Sequence, residues 1–109
     1  MDSREKRLAR NENLFREINE RVREIASVHG ADLHLYEFYC ECSNTDCTVR
    51  VELPLRDYER VREHGDRFLV APGHNLPDIE RIVERTEHWW VIEKEGAAGE
   101  LAEDLDPRG

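Results

Sequence analysis

Between Ser3 and Gly30 apolar residues recur at helical spacing. Leu8, Phe15, Ile18, Val22 and Ile25 follow a 3,4 rhythm in which Asn11 fills the missing place, and Leu14 and Ala26 widen the stripe. With Ser3 as N-cap, Glu5 in the first turn and Gly30 as the stop after His29, the pattern predicts one long helix. Its stripe has two uses. It packs on the protein's own sheet, or it pairs as a heptad seam with a second copy or a partner helix; in the second case Asn11 sets the register, and in the first it is merely exposed.

Alternation replaces the helical rhythm after this. From Leu33 to Cys42 the residues Leu33, Leu35, Glu37 and Tyr39 fall on one side, and His34, Tyr36, Phe38, Cys40 and Cys42 on the other. Ser43, Asn44, Thr45 and Asp46 are turn formers, and Thr48 to Leu53 alternates again, so the two runs predict a hairpin with the cysteines at its tip. Pro54 opens a short helix, Leu55 to His64, with Leu55, Tyr58 and Val61 on one face and Gly65 as its stop. A third strand is expected at Arg67 to Ala71, then a Pro72-Gly73 turn carrying His74. Ile79 to Lys94 reads as a second hairpin about Thr86 to His88, although Ile79 to Arg85 alone also suits a short helix. No internal repeat is present. The expected fold is α+β, with a long N-terminal helix, a cysteine-tipped hairpin, a short helix and further antiparallel strands.

Composition changes this picture in one respect. Hydrophobic residues make up 39% of the 109 and charged residues 38%, so the apolar core is thin for the length and a cross-link or metal would help. Charge is unevenly spread: residues 1–25 carry seven basic and six acidic side chains (+1), residues 26–92 seven and thirteen (−6), and residues 93–109 two and six (−4). An acidic body repels phosphate and disfavours nucleic acid as a partner. The interleaved charges of the first helix suit a solvated face with i,i+4 pairs. Gly96 to Gly109 has few bulky apolar residues and predicts an acidic disordered tail, leaving residues 1–95 as the folded domain.

The chemistry lies in Cys40-Glu41-Cys42 and Cys47. Residues i and i+2 of a strand share a face, and a four-residue turn returns Cys47 opposite them, so three thiols converge. Such a cluster suits Zn²⁺, which closes a structural site with four protein ligands, although one residue between paired cysteines is less specific than the usual two and free thiols are the alternative. Of five histidines, His74 is the first choice for the fourth place because a rigid Pro-Gly turn aims it. His34, on the cysteine-bearing face of the first strand, is the second; His29 and His64 precede helix-ending glycines and read as dipole partners. Glu41, between two ligands, should point to the opposite face. Iron–sulfur clusters want four cysteines where three exist.

Phe38-Tyr39-Cys40-Glu41-Cys42, Cys47 and Arg67-Phe68-Leu69-Val70-Ala71-Pro72-Gly73-His74 resemble a family of short uncharacterised bacterial proteins. The likeness runs from Ser3 to Lys94 and takes in Asn11-Glu12-Asn13-Leu14-Phe15-Arg16; a departure is Pro54, where the family tends to place a hydroxyl residue. It implies a metal site at Cys40, Cys42, Cys47 and His74, and supplies neither reaction nor partner.

No run approaches the roughly 20 apolar residues of a membrane span, the chain opens on charge, and an odd cysteine count argues against a secreted disulfide framework; the expected compartment is the cytoplasm. Trp89 and Trp90 point to opposite faces, one into the core, and Tyr36, Phe38 and Tyr39 read as core. The expected function is a zinc-stabilised interaction module, not an enzyme, that binds a protein partner or a second copy through Leu8, Phe15, Ile18, Val22 and Ile25. The alternative is a zinc-thiolate redox or metal sensor.

Overall fold

A computed structural model describes residues 3–29 and 34–108. Gly30 and Leu33, read above as helix stop and strand start, lie outside the described residues, as does Gly109. The helix α1 spans Ser3–His29, and its 27 residues, about 40 Å at 1.5 Å per residue, match the 42 Å long dimension of the molecule. The fold is α+β. Strands β1 (Leu35–Tyr39) and β2 (Arg50–Pro54) form an antiparallel hairpin in which Tyr36 faces Leu53 and Phe38 faces Val51. The short helix α2 (Leu55–Val61) starts from Pro54, which makes no side-chain cap. Strands β3 (Arg67–Val70), β4 (Glu80–Arg85) and β5 (Trp90–Lys94) form a second antiparallel sheet in the order β3-β5-β4, with an irregularity at Val83. Residues 79–85 thus include a strand and no helix, and the β4–β5 turn closes through Thr86 N–H on Trp89 O.

The regular first strand is shorter than the alternation from Leu33 to Cys42 predicts. Its ladder ends at Tyr39 and Cys40, and residues 40–42 then run beside β3, where Glu41 N–H donates to Leu69 O at 2.7 Å. That crossing joins the two sheets. Between them lies one core in which Phe38 stacks on Tyr58 at 4.3 Å, with Leu53, Phe68, Leu69, Val70 and Ile92 fully buried. Trp89 joins this core, while Trp90 is half-buried under Arg85.

Two expectations need correction. The tail is ordered over most of its length: Gly96–Asp104 forms helix α3, with Ala98, Gly99 and Ala102 buried. Its glycines serve packing rather than disorder. Gly96 turns the chain at φ +59°, and a Cβ on Gly99 would stand 2.6 Å from Lys94 O. Beyond it Asp106 pairs with Arg62, and Arg108 with Glu20 and Glu59.

The second correction concerns α1, which buries a polar face: Ala9, Glu12, Asn13, Arg16, Asn19 and Ala26, flanked by Phe15. Arg16 is fully buried; it donates to Gly65 O (2.5 Å), Ala102 O (2.7 Å) and Asn13 Oδ1 (2.8 Å), and lies 4.5 Å over the Phe68 ring. Lys94 is equally buried against Glu12 and, at 3.0 Å, Glu80. Glu12, Arg16 and Asn19 each meet a group in another part of the chain, and Asn13 is held within the helix by Arg16 and Glu17, which is how so polar a face can leave water. The predicted seam is divided accordingly. Phe15 and Val22 belong to the core and Leu8 is half-buried, while Ile18 and Ile25 are exposed, as are Leu14 and Val28. Asn11 is half-buried and donates to Ser43 O at 2.9 Å. Among the described residues the ion pairs of α1 mostly reach other parts of the chain, as in Arg4–Asp78 and Glu20–Arg62, and the one within the helix is i,i+3, Arg23 with Glu20.

Candidate metal centre

Three local structures bring the ligands together. After Cys40, the backbone continues extended past β3, so Cys40 and Cys42 share a face and Glu41 takes the other. Asn44 then closes the turn twice, its carbonyl accepting from Cys47 N–H and its side-chain oxygen from Asp46 N–H, both at 3.0 Å, and this returns Cys47 toward the pair. From the opposite side, Ala71-Pro72-Gly73-His74 forms a turn with Pro second, Gly73 third at φ +84° and His74 N–H on Ala71 O at 3.0 Å, the type II arrangement. Only a residue without Cβ takes that φ freely. The turn fixes the direction of His74.

The result is a Cys₃His cluster. The ligand atoms of Cys40, Cys42, Cys47 and His74 all lie within 4.8 Å of one another, and among the described residues these four form the one such group. His74 Nδ1 is 3.5 Å from Cys40 Sγ and 3.7 Å from Cys47 Sγ. A tetrahedron with metal–sulfur bonds of about 2.3 Å and a metal–nitrogen bond of about 2.0 Å has edges of roughly 3.5 to 3.8 Å, so this spacing suits a single ion. The donor set fits a metal ion that prefers thiolate and imidazole. Cys40 and Cys42 are buried and Cys47 and His74 half-buried; Ala71 N–H donates to Cys40 Sγ at 3.2 Å. Without a metal the thiols constrain each other. A hydrogen bond from Cys40 lowers Cys42 to about 5, while that same bond and burial push Cys40 up and burial pushes Cys47 up. Thiols crowded this closely oppose one another's ionisation, and a cation relieves that opposition.

His34 is exposed, its ring edge-on to Tyr36 at 4.5 Å, and it takes no part in the cluster. His64 and His88 are exposed as well.

Glu41 is turned away from the cluster, as the strand alternation requires, and what it meets was not legible in the pattern. Fully buried, its carboxylate accepts from Tyr58 OH (2.6 Å), Asn19 Nδ2 (2.8 Å) and Leu69 N–H (2.9 Å). Burial pushes its carboxyl up against the pull of these donors. Asn19 also brackets Tyr39, donating to its carbonyl at 2.8 Å and accepting from its N–H at 2.7 Å, much as a neighbouring strand would. The residue between the two ligand cysteines is thus fastened to α1, α2 and β3. A signal for this existed only in Glu41 itself, an acidic residue in a run otherwise destined for the core.

Compared with protein-family models, curated proteins and solved structures, the chain finds no match. Among the described residues no helix is long and apolar enough to cross a membrane.

Proposed function

We propose that this protein is a small structural-zinc domain that serves as a protein-interaction module. The observation that carries the reading is the convergence of three cysteine thiols and one imidazole at the spacing of a tetrahedral ion. Zn²⁺ is the ion of choice because it takes thiolate and imidazole together without redox chemistry of its own. Cys40, Cys42, Cys47 and His74 would complete its coordination, and three thiolates would leave the centre with a formal charge of −1, which weakens Lewis acidity toward water. Glu41, the nearest carboxylate in sequence, is spent on Asn19, Tyr58 and Leu69. The role is therefore structural rather than catalytic. The centre holds the hairpin, β3 and, through Glu41, α1 in place, so that the exposed apolar residues of α1 are presented on a fixed support. The thiolates and the acidic body suit the cytoplasm and a protein, not a nucleic acid, as partner. Protein purified without chelator should hold close to one zinc per chain, and Cys42→Ser should lose it; absence of zinc would end this reading.

A second reading, a zinc-thiolate sensor, is favoured by a surface cleft of about 290 Å³ lined by Cys42, Ser43, Asn44, His74, Asn75 and Leu76. It gives a small oxidant a path to the centre. A hydroperoxide would join two thiolates as a disulfide, be reduced to water and alcohol or to two waters, and release the zinc. Release by mild peroxide that reductant reverses would support the sensor; zinc retained under the same treatment would leave the module alone.

A further inference from the structure

The face that α1 turns to solvent has a pattern of its own. Leu14, Ile18, Ile25 and Val28 are 49%, 36%, 62% and 84% exposed, and with Arg21 between them they follow a strict 4,3,4,3 spacing, the seam of a two-stranded coiled coil. From Leu14 to Val28 this seam is about 21 Å long at 1.5 Å per residue. Arg21 lies on it and Glu17 beside it. Neither has an ion pair among the described residues, and they do not pair with each other although they stand at i,i+4; Glu17 only accepts from Asn13 at 3.2 Å.

We infer that this face binds a second copy of the chain, with the two α1 helices antiparallel about a two-fold axis between Ile18 and Arg21. The inference rests on the reading of α1 as the docking surface and not on the identity of the metal. Charge selects both the occupant and the direction. The chain carries −9 overall, but its first 25 residues carry +1, so two copies approach with least repulsion through α1. A parallel pair would set Arg21 on Arg21 and Glu17 beside Glu17. The antiparallel pair instead lays Leu14 on the partner copy's Ile25-equivalent position, packs Ile18 along the arginine stem, and brings each Arg21 beside the other copy's Glu17. A two-fold interface makes that pair twice, and this is the self-complementarity an isologous contact requires. Val28 of one copy then covers the region of Asn11 on the other.

Sedimentation velocity on the full chain over a range of concentrations tests this, with metal content measured on the same samples. The expected result is a mass rising to twice the 12.9 kDa of one chain. Glu17→Arg, which sets arginine against Arg21, and Ile25→Asp should each weaken association at least tenfold, while the exchange Glu17→Arg with Arg21→Glu should restore it. A monomer at every concentration would overturn the inference and leave the face to a different protein. A dimer indifferent to these substitutions would overturn it too. Zinc-loaded monomer would sink the pairing and spare the zinc reading; zinc-free dimer would do the reverse.

Discussion

The cysteine turn and the buried face of α1 solve the same problem by different means. Each gathers polar groups against the apolar core. At the turn, three thiols and an imidazole face one point at a spacing that suits a single ion. On α1, Glu12, Arg16 and Asn19 meet partners within the protein, Lys94, the backbone carbonyls of Gly65 and Ala102, and Glu41 and Tyr39, while Asn13 is held by Arg16. The first arrangement has room for an ion and the second needs none. The difference also bears on function, since burying a polar face leaves the apolar face of the same helix free to be used.

Removing the ion should have the largest effect. Structural zinc in small domains has an apparent binding free energy of about 10 to 16 kcal/mol, and each kcal/mol is worth roughly 4 to 8 °C in a domain of this size. Chelation should lower the melting temperature by more than about 10 °C, with His74→Ala reproducing most of the loss and His34→Ala none, as followed by circular dichroism. Part of the α1 signal should survive, because its buried face needs no metal. An unchanged melting curve after verified removal would show that the two regions do not differ in the way described.

Arg16→Met attacks the other region. It keeps much of the side-chain volume but leaves the Gly65 and Ala102 carbonyls and Asn13 without their donor, and each buried acceptor left unpaired costs about 1 to 3 kcal/mol. Denaturant titration should show that loss while the metal stoichiometry stays at one per chain. Loss of metal together with stability would mean that the regions fold as one.

Glu41→Gln is the test of the link between them. Its two oxygens receive three donors, so an amide nitrogen in either position meets a donor head-on. A cost of about 1 to 3 kcal/mol is expected for the unmatched groups, with a fall in zinc affinity of roughly 10- to 100-fold, as outer-shell changes produce. Competition with a chromogenic chelator reads the affinity directly; stability lost at unchanged affinity would reduce Glu41 to a core residue.

The smallest effect is expected at Glu12. Burial, reinforced by Glu80, pushes its carboxyl well above the usual range, so the folded state binds its proton more tightly than the unfolded chain does. Stability from this group is present below the unfolded value of 4.5 and declines as pH rises toward the folded one. Glu12→Gln removes that decline and should sit within about 1 kcal/mol of the parent at neutral pH. Glu20 and Asp106 work in the opposite sense: burial raises both, but Arg62 and Arg108 outweigh it and hold them low, so their contribution is lost as pH falls below about 4. Thermal melts from pH 3 to 8 on parent and variant separate the two. A variant that melts far lower at neutral pH would show Glu12 to be held ionised by Lys94.

How legible each part was in the sequence follows from the range of its interactions. The hairpins, the short helix and the ligand set rest on neighbours: alternation, Asn44 in a turn, Pro72-Gly73 ahead of His74. The buried face of α1 rests on partners far along the chain, with Arg16 meeting Gly65 and Ala102, so hydrophobic spacing named the wrong neighbours for part of the helix. The segment after Lys94 misled for a related reason. Glycine and acidic residues suggest disorder, yet Ala98, Gly99 and Ala102 sit at 1- and 3-residue steps on one face and pack because they are small. Small residues at helical spacing were the available signal.

X-ray absorption at the zinc edge of the purified protein tests the central claim most directly, because it reads the atoms around the ion. The account predicts three sulfur neighbours at about 2.3 Å and one nitrogen at about 2.0 Å. A shell dominated by oxygen and nitrogen, or one of four sulfurs shared between chains, would contradict it.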